Sequence, residues 1–292
     1  MNLPLKCKTS HTETGCLYVI GMPIGNLQDV TFRAIEVLRS VDIVLAEDTR
    51  NTLRFLHHYD IKVPIEAFHE HNEVSKAEKV IQKIKQGEKI ALVSDAGTPC
   101  VSDPGYRLVA SAIAKSINVI PIPGVSAAIT AVSVSGLPSD GFVFVGFLPR
   151  KKGKQKSLLE SLALLPQTLI LYESPRRIIS SLEFLEEILG NREAVLAREM
   201  TKVFEEFLRG TLTEIITILR KREGAKGECT LLVAGYREKE ITMSSALVVE
   251  IKKAIQAKEP VSSIARRVSA EKRVAKKMIY EKTLKLKNEL EK

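Results

Sequence analysis

Short apolar runs alternate along the chain with segments whose apolar residues recur at the period of a helix. The runs predict β-strands and the periodic segments predict helices, an alternation typical of α/β domains with mostly parallel sheets. In chain order, strands are predicted at residues 17–21, 43–46, 89–94, 118–121, 142–147, 168–173, 194–198 and 230–234. Helices are predicted between them at residues 31–41, 52–59, 73–86, 106–115, 126–135, 156–165, 176–189 and 213–221.

The C-terminal part predicts helices only, at residues 246–258, 262–268 and 271–289, with Ser262 and Ser269 as N-caps. A short helix, a turn and a longer basic helix are typical of a helix-turn-helix unit, although a small helical bundle packed on the parent domain gives the same pattern. At 292 residues the chain exceeds one typical domain. We therefore predict a tail (1–16), two α/β domains (17–138 and 139–240) and a basic helical domain (241–292).

The N-terminal sixteen residues lack the apolar core of a signal peptide, and no apolar run reaches the length of a membrane span. These features favour a cytoplasmic protein that does not associate with a membrane. The four cysteines, Cys7, Cys16, Cys100 and Cys229, form no CxxC pair. Free thiols are therefore expected and a metal site is not.

Positive charge is concentrated at the C-terminus. Of the formal net charge of +9, residues 236–292 carry +7, from 15 Lys and Arg against 8 Asp and Glu. Such a segment is typical of an element that binds a polyanion, and a solvated helical tail is the alternative. Residues 150–156 are interpreted as a loop with five cations, which either contacts phosphate or is merely solvated.

Three loops follow predicted strands of the first domain and are rich in small residues. The first contains Gly21 and Gly25, whose spacing differs from the G-x-G-x-x-G of dinucleotide sites, so an NAD site is disfavoured although Glu47 and Asp48 follow the second strand. The second, residues 94–105, holds two prolines, two glycines and two aspartates; it is either a structural turn or a ligand loop whose carboxylates orient hydroxyls or amines. The third spans residues 121–128. Together they predict a ligand site at the carboxyl ends of the strands.

Nine motifs in series carry a resemblance to a known family. They are GMPIGNLQDVTFRA, AEDTR, FHEHN, LVSDAGTPCVSDPG, PIPGVSAAITAVSVSGLPSDGF, GFLPR, YESPRR, AREMTK and GECTLLV. In order and spacing, from residue 17 to the C-terminus, the chain resembles the small-subunit ribosomal RNA methyltransferases of the tetrapyrrole methylase superfamily.

The resemblance implies a class III methyltransferase fold, in which two α/β domains hold S-adenosylmethionine in the cleft between them, usually in a homodimer. It implies methylation of the ribose 2′-hydroxyl of a cytidine in the decoding region of 16S ribosomal RNA, with the small ribosomal subunit as partner. The alternative is a methylase of a small tetrapyrrole precursor. In those enzymes the loop equivalent to residues 96–99 reads G-G-D-P, whereas Thr98 replaces the aspartate here. A non-enzymatic helix-turn-helix regulator is disfavoured, because it would leave the α/β body without a role.

The resemblance also implies site residues. The expected cofactor residues are Met22, Pro23, Gly97, Thr98, Val101, Ser126, Ala127, Tyr172, Glu173, Cys229 and Thr230. A base that accepts the hydroxyl proton would assist the transfer, and the candidates are His69, His71, Glu47 and Asp48. Contacts with RNA are expected from Arg50, Arg150, Lys151, Lys152, Arg266, Arg267, Lys272, Arg273, Lys276 and Lys277. The His69–His71 pair lacks a third ligand, so no metal is predicted.

Overall fold

The structure is a computed structural model that describes residues 15–237, 245–272 and 276–290. By its internal contacts the chain divides into two units, residues 1–236 and 237–292. The first predicted α/β domain (17–138) lies in the first unit, and so does the second (139–240) except for residues 237–240. The predicted boundary at 240/241, most of the predicted N-terminal tail and Cys7 fall outside the described residues.

The first sheet contains only parallel strands, as its sequence pattern predicts. Its order is β3-β2-β4-β1-β5. The strands are β1 (Cys16–Ile20), β2 (Ile43–Ala46), β3 (Ile65–Ala67), β4 (Lys89–Val93) and β5 (Asn118–Ile122). The helices of this half are α1 (Phe32–Ser40), α2 (Thr49–His58), α3 (Glu73–Lys85), α4 (Tyr106–Ala114) and α5 (Ala127–Ser135).

Alternate residues of these strands face opposite sides of the sheet. Val44 and Ala46 pack with residues of α1 and α2, whereas Leu45 between them packs with residues of α3 and α4. This two-residue period explains why the strands are apolar throughout, since helices cover both faces. Because all five strands run in one direction, the loops after β1, β4 and β5 emerge at the same edge.

The second sheet corrects the expectation of mostly parallel strands. Its order is β6-β7-β10-β8-β9, and only β6 and β7 pair in parallel. The strands are β6 (Phe142–Phe147), β7 (Thr168–Glu173), β8 (Glu193–Arg198), β9 (Glu206–Thr211) and β10 (Cys229–Val233). The short link between β8 and β9 permits only a hairpin, because a parallel pair needs a crossover of a dozen or more residues.

The helices of the second half are α6 (Lys152–Leu162), α7 (Ile178–Leu189) and α8 (Leu212–Lys221). The interpretation of residues 150–156 as a loop is therefore wrong from Lys152 onward. Lysine is a good helix former, and burial of Gln155 and Leu159 gives this basic segment a face to pack.

The C-terminal unit contains the helices α9 (Ser245–Gln256), α10 (Val261–Lys272) and α11 (Lys276–Leu290). Ile251, Ile264 and Ile279 belong to its apolar core. Ser262 and Ser269 lie inside α10, so their assignment as N-caps is wrong. The Ser269 hydroxyl donates instead to the carbonyl of Arg266 at 3.0 Å, a bond that helix interiors tolerate. Among the described residues, no helix is long and apolar enough to cross a membrane.

Candidate active site

A cavity of about 630 Å³ is lined by residues from both α/β halves. This volume lies within the range of about 300–1,000 Å³ typical of small-molecule sites. Its walls are the loops after β4, β5, β7 and β8, together with the start of β10. Nine of the eleven predicted cofactor residues line it: Gly97, Thr98, Val101, Ser126, Ala127, Tyr172, Glu173, Cys229 and Thr230.

Met22 and Pro23 border an adjoining cavity of about 580 Å³ instead. Met22 still supports the first cavity from behind, because its N–H donates to the Gly97 carbonyl at 2.7 Å and its carbonyl accepts from the Gly97 N–H at 3.1 Å. These bonds fix the start of the loop after β4. The Thr98 hydroxyl continues the wall by donating to the Val125 carbonyl at 3.3 Å.

Two glycines allow the loops after β1 and β5 to touch. A Cβ added to Gly124 would lie 2.6 Å from the carbonyl carbon and oxygen of Gly21, and a Cβ on Gly21 would lie 2.7 Å from the Gly124 Cα. Only glycines permit this approach of backbone to backbone. The contact sets the path of residues 124–127, which include the cavity residues Ser126 and Ala127.

The loop after β4 is held in an unusual conformation. Gly97, Cys100, Ser102 and Gly105 all have positive φ, at 74°, 70°, 64° and 125°. For Cys100 and Ser102 this left-handed backbone is strained, and such strain persists where surrounding contacts enforce it. The buried Glu73 carboxylate supplies two of these contacts by accepting from the N–H groups of Gly105 (3.2 Å) and Arg107 (2.9 Å).

Glu173 is a buried carboxylate at the end of β7, with 4% of its surface exposed. It accepts from the Ser174 N–H at 2.8 Å and from the Ser181 hydroxyl at 2.6 Å, and the Arg177 guanidinium lies 3.5 Å away. These partners fix the turn from β7 into α7. Tyr172 beside it packs edge-to-face against Phe144 and Phe147, with ring centroids 5.0 and 5.7 Å apart.

Negative charge predominates in the cavity. Its lining contains the carboxylates of Asp95, Asp103, Glu173, Glu199 and Glu228, and Lys202 is the lining cation within the described chain. The Lys202 ammonium already pairs with Glu199 at 3.0 Å and with Glu228 at 2.9 Å. The cavity therefore favours a ligand with positive charge.

Asp48 and Arg50, predicted as a base and a phosphate contact, bind each other. The Arg50 guanidinium donates to both Asp48 oxygens at 2.7 and 3.0 Å, and the Arg50 N–H donates to Asp48 Oδ1 at the start of α2. The Arg50 hydrogen bonds lower the pKa of Asp48 to about 2. Asp48 therefore serves as a helix cap, whereas the Arg50 side chain remains 83% exposed.

Glu47, His69 and His71 lie close together at the end of the sheet. Burial, followed by the charge of Asp95, raises the pKa of Glu47, and the nearby His69 lowers it. His69 and His71 have ring centroids 6.0 Å apart. His69 Nε2 lies 3.1 Å from the Asn72 side-chain amide, so this nitrogen already has a partner. In the described chain no group of three potential metal ligands is found.

Sequence reasoning missed Asp103. It lines the large cavity and also a third cavity of about 350 Å³, which Glu47 shares. Burial, followed by the charge of Glu47, raises its pKa to about 6. The sequence places Asp103 in a loop rich in small residues, but only the fold brings it beside Glu47.

The predicted RNA contacts differ in their surroundings. Arg150, Lys151, Lys152 and Arg266 are exposed. Arg267 instead pairs with Glu250 at 3.0 Å and Glu259 at 3.2 Å, and thus joins residues of its own unit. Arg273 and the side chains of Lys272, Lys276 and Lys277 lie outside the described residues.

Comparison with known proteins places these features in a family. Residues 16–216 match the model of the tetrapyrrole (corrin/porphyrin) methylases. The chain belongs to the tetrapyrrole methylase family. Members of this family are methyltransferases that use S-adenosylmethionine, and this chain is one of them. Its cavity fits that cofactor, because the positively charged sulfonium matches the excess of carboxylates in the lining.

Relatives of this tetrapyrrole methylase with high sequence identity share one name, ribosomal RNA small subunit methyltransferase I. The protein from Halalkalibacterium halodurans is 50% identical over 78% of each chain. Those from Vibrio cholerae and Bacillus subtilis are 48% and 45% identical, over 79% of this chain and 81% and 78% of their own.

Solved structures show the same fold at low identity. The cobalamin biosynthetic enzyme cobalt precorrin-4 methyltransferase superposes with a TM-score of 0.56 at 15% identity, over 75% of this chain and 94% of its own. Diphthine synthase gives a TM-score of 0.57 at 15% identity, over 75% and 89%. These similarities confirm the predicted class III methyltransferase fold.

Proposed function

We propose that this chain transfers a methyl group from S-adenosylmethionine to the ribose 2′-hydroxyl of a cytidine in the decoding region of 16S ribosomal RNA. The observation that carries the proposal is the 45–50% identity to relatives named ribosomal RNA small subunit methyltransferase I. The net charge of +7 in residues 236–292 supports a polyanionic substrate.

The nine predicted residues that line the large cavity are proposed to hold the cofactor. One side of the site is formed by the loop after β4, with Gly97, Thr98 and Val101, and by the start of α5, with Ser126 and Ala127. On the opposite side, Tyr172, Glu173, Cys229 and Thr230 come from two paired strands, β7 and β10. Met22 is proposed to contribute indirectly, through its backbone hydrogen bonds to Gly97. Pro23 is proposed to close the side toward the adjoining cavity.

The cofactor, when bound, supplies a methyl group on a positively charged sulfur. The residues of the chain then have two tasks. They align the ribose oxygen with the methyl carbon, which can contribute several kcal/mol, and they receive the hydroxyl proton. Of the four predicted bases, Asp48 is the weakest because Arg50 holds its pKa at about 2. Glu47, His69 and His71 remain proposed participants.

The proposed partners are the small ribosomal subunit and a second copy of the chain in a homodimer, acting in the cytoplasm. Two apolar side chains on the loop between β8 and β9 support a protein contact, since Val203 and Phe204 are 93% and 71% exposed. Light scattering of the full chain would give twice the monomer mass if the homodimer forms, and the monomer mass if it does not.

The proposed function is tested by comparing possible acceptors of the methyl group. Purified protein is incubated with methyl-labelled S-adenosylmethionine and, separately, with naked 16S RNA, with small subunits from cells lacking the enzyme, and with a tetrapyrrole precursor. We expect label in RNA from at least one of the first two reactions. Label in the tetrapyrrole alone would reject the proposal and favour the small-molecule alternative.

A further inference from the structure

Asp103 occupies the boundary between two cavities. Ser102 and Asp103 line both the proposed cofactor cavity and the third cavity of about 350 Å³. The Ser102 side chain packs against β6, since a Cβ on Gly146 would lie 2.9 Å from its hydroxyl. Among the described residues, Asp103 is thus the ionisable residue that lines both cavities.

The third cavity has the chemistry of a nucleoside site. Tyr106, which is 72% exposed, offers an aromatic ring at its edge, and exposed rings stack on unpaired bases. Glu47 and Glu70 offer carboxylates that accept hydrogen bonds from hydroxyl or amino groups. The carboxylates of Glu47, Glu70, Glu73 and Asp103 outnumber the one lining cation of the described chain, Arg107, so this cavity suits an uncharged sugar and base better than phosphate.

The other carboxylates of the cofactor cavity already have strong partners. Asp95 accepts from the Asp48 N–H and the Asn51 side-chain amide, both at 3.0 Å. Glu173 is bound by Ser181, and Lys202 pairs with Glu199 and Glu228. None of these borders the third cavity.

The backbone around Asp103 holds it in place. The Ser102 backbone before it is left-handed, and the Gly105 N–H after it is bound by the buried carboxylate of Glu73. A Cβ on Gly105 would also lie 2.6 Å from Leu92. A group fixed before substrate arrives needs no reorganisation during reaction.

We propose that Asp103 accepts the proton of the ribose 2′-hydroxyl during methyl transfer. This assignment rests on the proposed function. As the O2′–methyl bond forms, the hydroxyl proton passes to the Asp103 carboxylate. The methyl–sulfur bond breaks and its electron pair stays on sulfur. The products are the 2′-O-methyl ribose, the neutral thioether S-adenosylhomocysteine and a protonated Asp103, which returns its proton to water.

The surroundings of Asp103 suit a base that works near neutral pH. Its pKa is raised to about 6 by burial, then by the charge of Glu47 and, less, of Asp95, against a lowering hydrogen bond with Ser94. A carboxylate with this pKa is ionised at pH 7, and the positive charge of the bound cofactor would keep it ionised by lowering the pKa. The other ionisable groups of the described chain that interact with it or line the third cavity are Cys100, Tyr172, Glu70, Glu73, Tyr106 and Arg107.

A first test needs no RNA. S-adenosylmethionine and S-adenosylhomocysteine share every group except the methyl and its positive charge, so the ratio of their affinities reports what faces the sulfonium. A positive charge nearby lowers the pKa of a carboxylate by about 1–3 units. By linkage, the preference of wild type for S-adenosylmethionine should fall at least about fivefold between about pH 7.5 and pH 5. A ratio that stays flat in calorimetry would overturn the placement of Asp103.

Variants then show whether Asp103 causes the pH dependence of the affinity ratio. Asp103→Asn should lose the pH dependence of the ratio and, with the cofactor at saturation, methylate RNA about 10²–10⁴-fold more slowly in single turnover. Asp140→Asn, an exposed carboxylate that lines none of these cavities, should match wild type. A near-normal rate for Asp103→Asn, or loss of the pH dependence only in Glu47→Gln, would overturn the proposal. If wild type methylates no RNA, the proposed function fails, while the affinity ratio still decides whether Asp103 faces the sulfonium.

Discussion

Replacing Gly124 with alanine should disturb the cofactor cavity without touching any side chain in it. The new Cβ would lie 2.6 Å from backbone atoms of Gly21, whereas ordinary contacts begin near 3.4 Å. The two loops must therefore separate by about 0.8 Å, and overpacking of this kind costs about 1–3 kcal/mol. For a unit of this size the melting temperature should fall by about 2–12 °C.

Affinity for S-adenosylhomocysteine should fall as well, because Ser126 and Ala127 move with Gly124. A displacement near 1 Å can also lower the rate of methyl transfer by up to about 100-fold, because the reacting groups are no longer aligned. Calorimetry and thermal unfolding measure the two effects. Gly153→Ala is the matched control, since Gly153 lies in α6 with nothing within 4 Å of the added Cβ. If Gly124→Ala binds and melts like wild type, the contact between the loops does not shape the site.

Two further predictions separate neighbouring residues of the same type. Ser181→Ala should lower the free energy of unfolding in urea by about 1.5–3 kcal/mol, because it removes a hydrogen bond from the buried carboxylate of Glu173. Ser180→Ala, on the exposed side of the helix, should change this free energy little. An equal loss of stability in both variants would contradict the buried role of Glu173. Arg266→Gln should weaken RNA binding and reduce its salt slope by about 1, whereas Arg267→Gln should mainly destabilise the C-terminal unit. An unchanged slope for Arg266→Gln would remove that residue from the RNA contact.

Periodicity identified the elements that have strong patterns and failed where the pattern is short or polar. The apolar runs at β1, β2 and β4 are unmistakable because helices cover both faces of the first sheet. β3 has three residues and β9 reads EFLRGT, so neither gives a strand signal. Pairing direction in the second sheet was missed because periodicity reports burial and not strand orientation.

The sequence predicts those parts of the candidate site that lie in a loop following one strand. Thr98 and Ser126 follow apolar strands directly, and their loops must meet at one edge of a parallel sheet. Asp103 was overlooked, and the ion pairs of Arg267 were not foreseen, because both environments arise from residues of other elements. The pKa of Asp103 depends on burial in the folded chain and then on the charge of Glu47, and the partner Glu250 of Arg267 lies on another helix.

The proposed acceptor of the methyl group is a ribose oxygen of RNA. The most direct measurement digests labelled 16S RNA from the reaction to nucleosides and identifies the labelled one by mass spectrometry. We expect label in 2′-O-methylcytidine, at one position of the decoding region. Label on a base rather than on ribose would contradict the proposed acceptor and, with it, the role of Asp103.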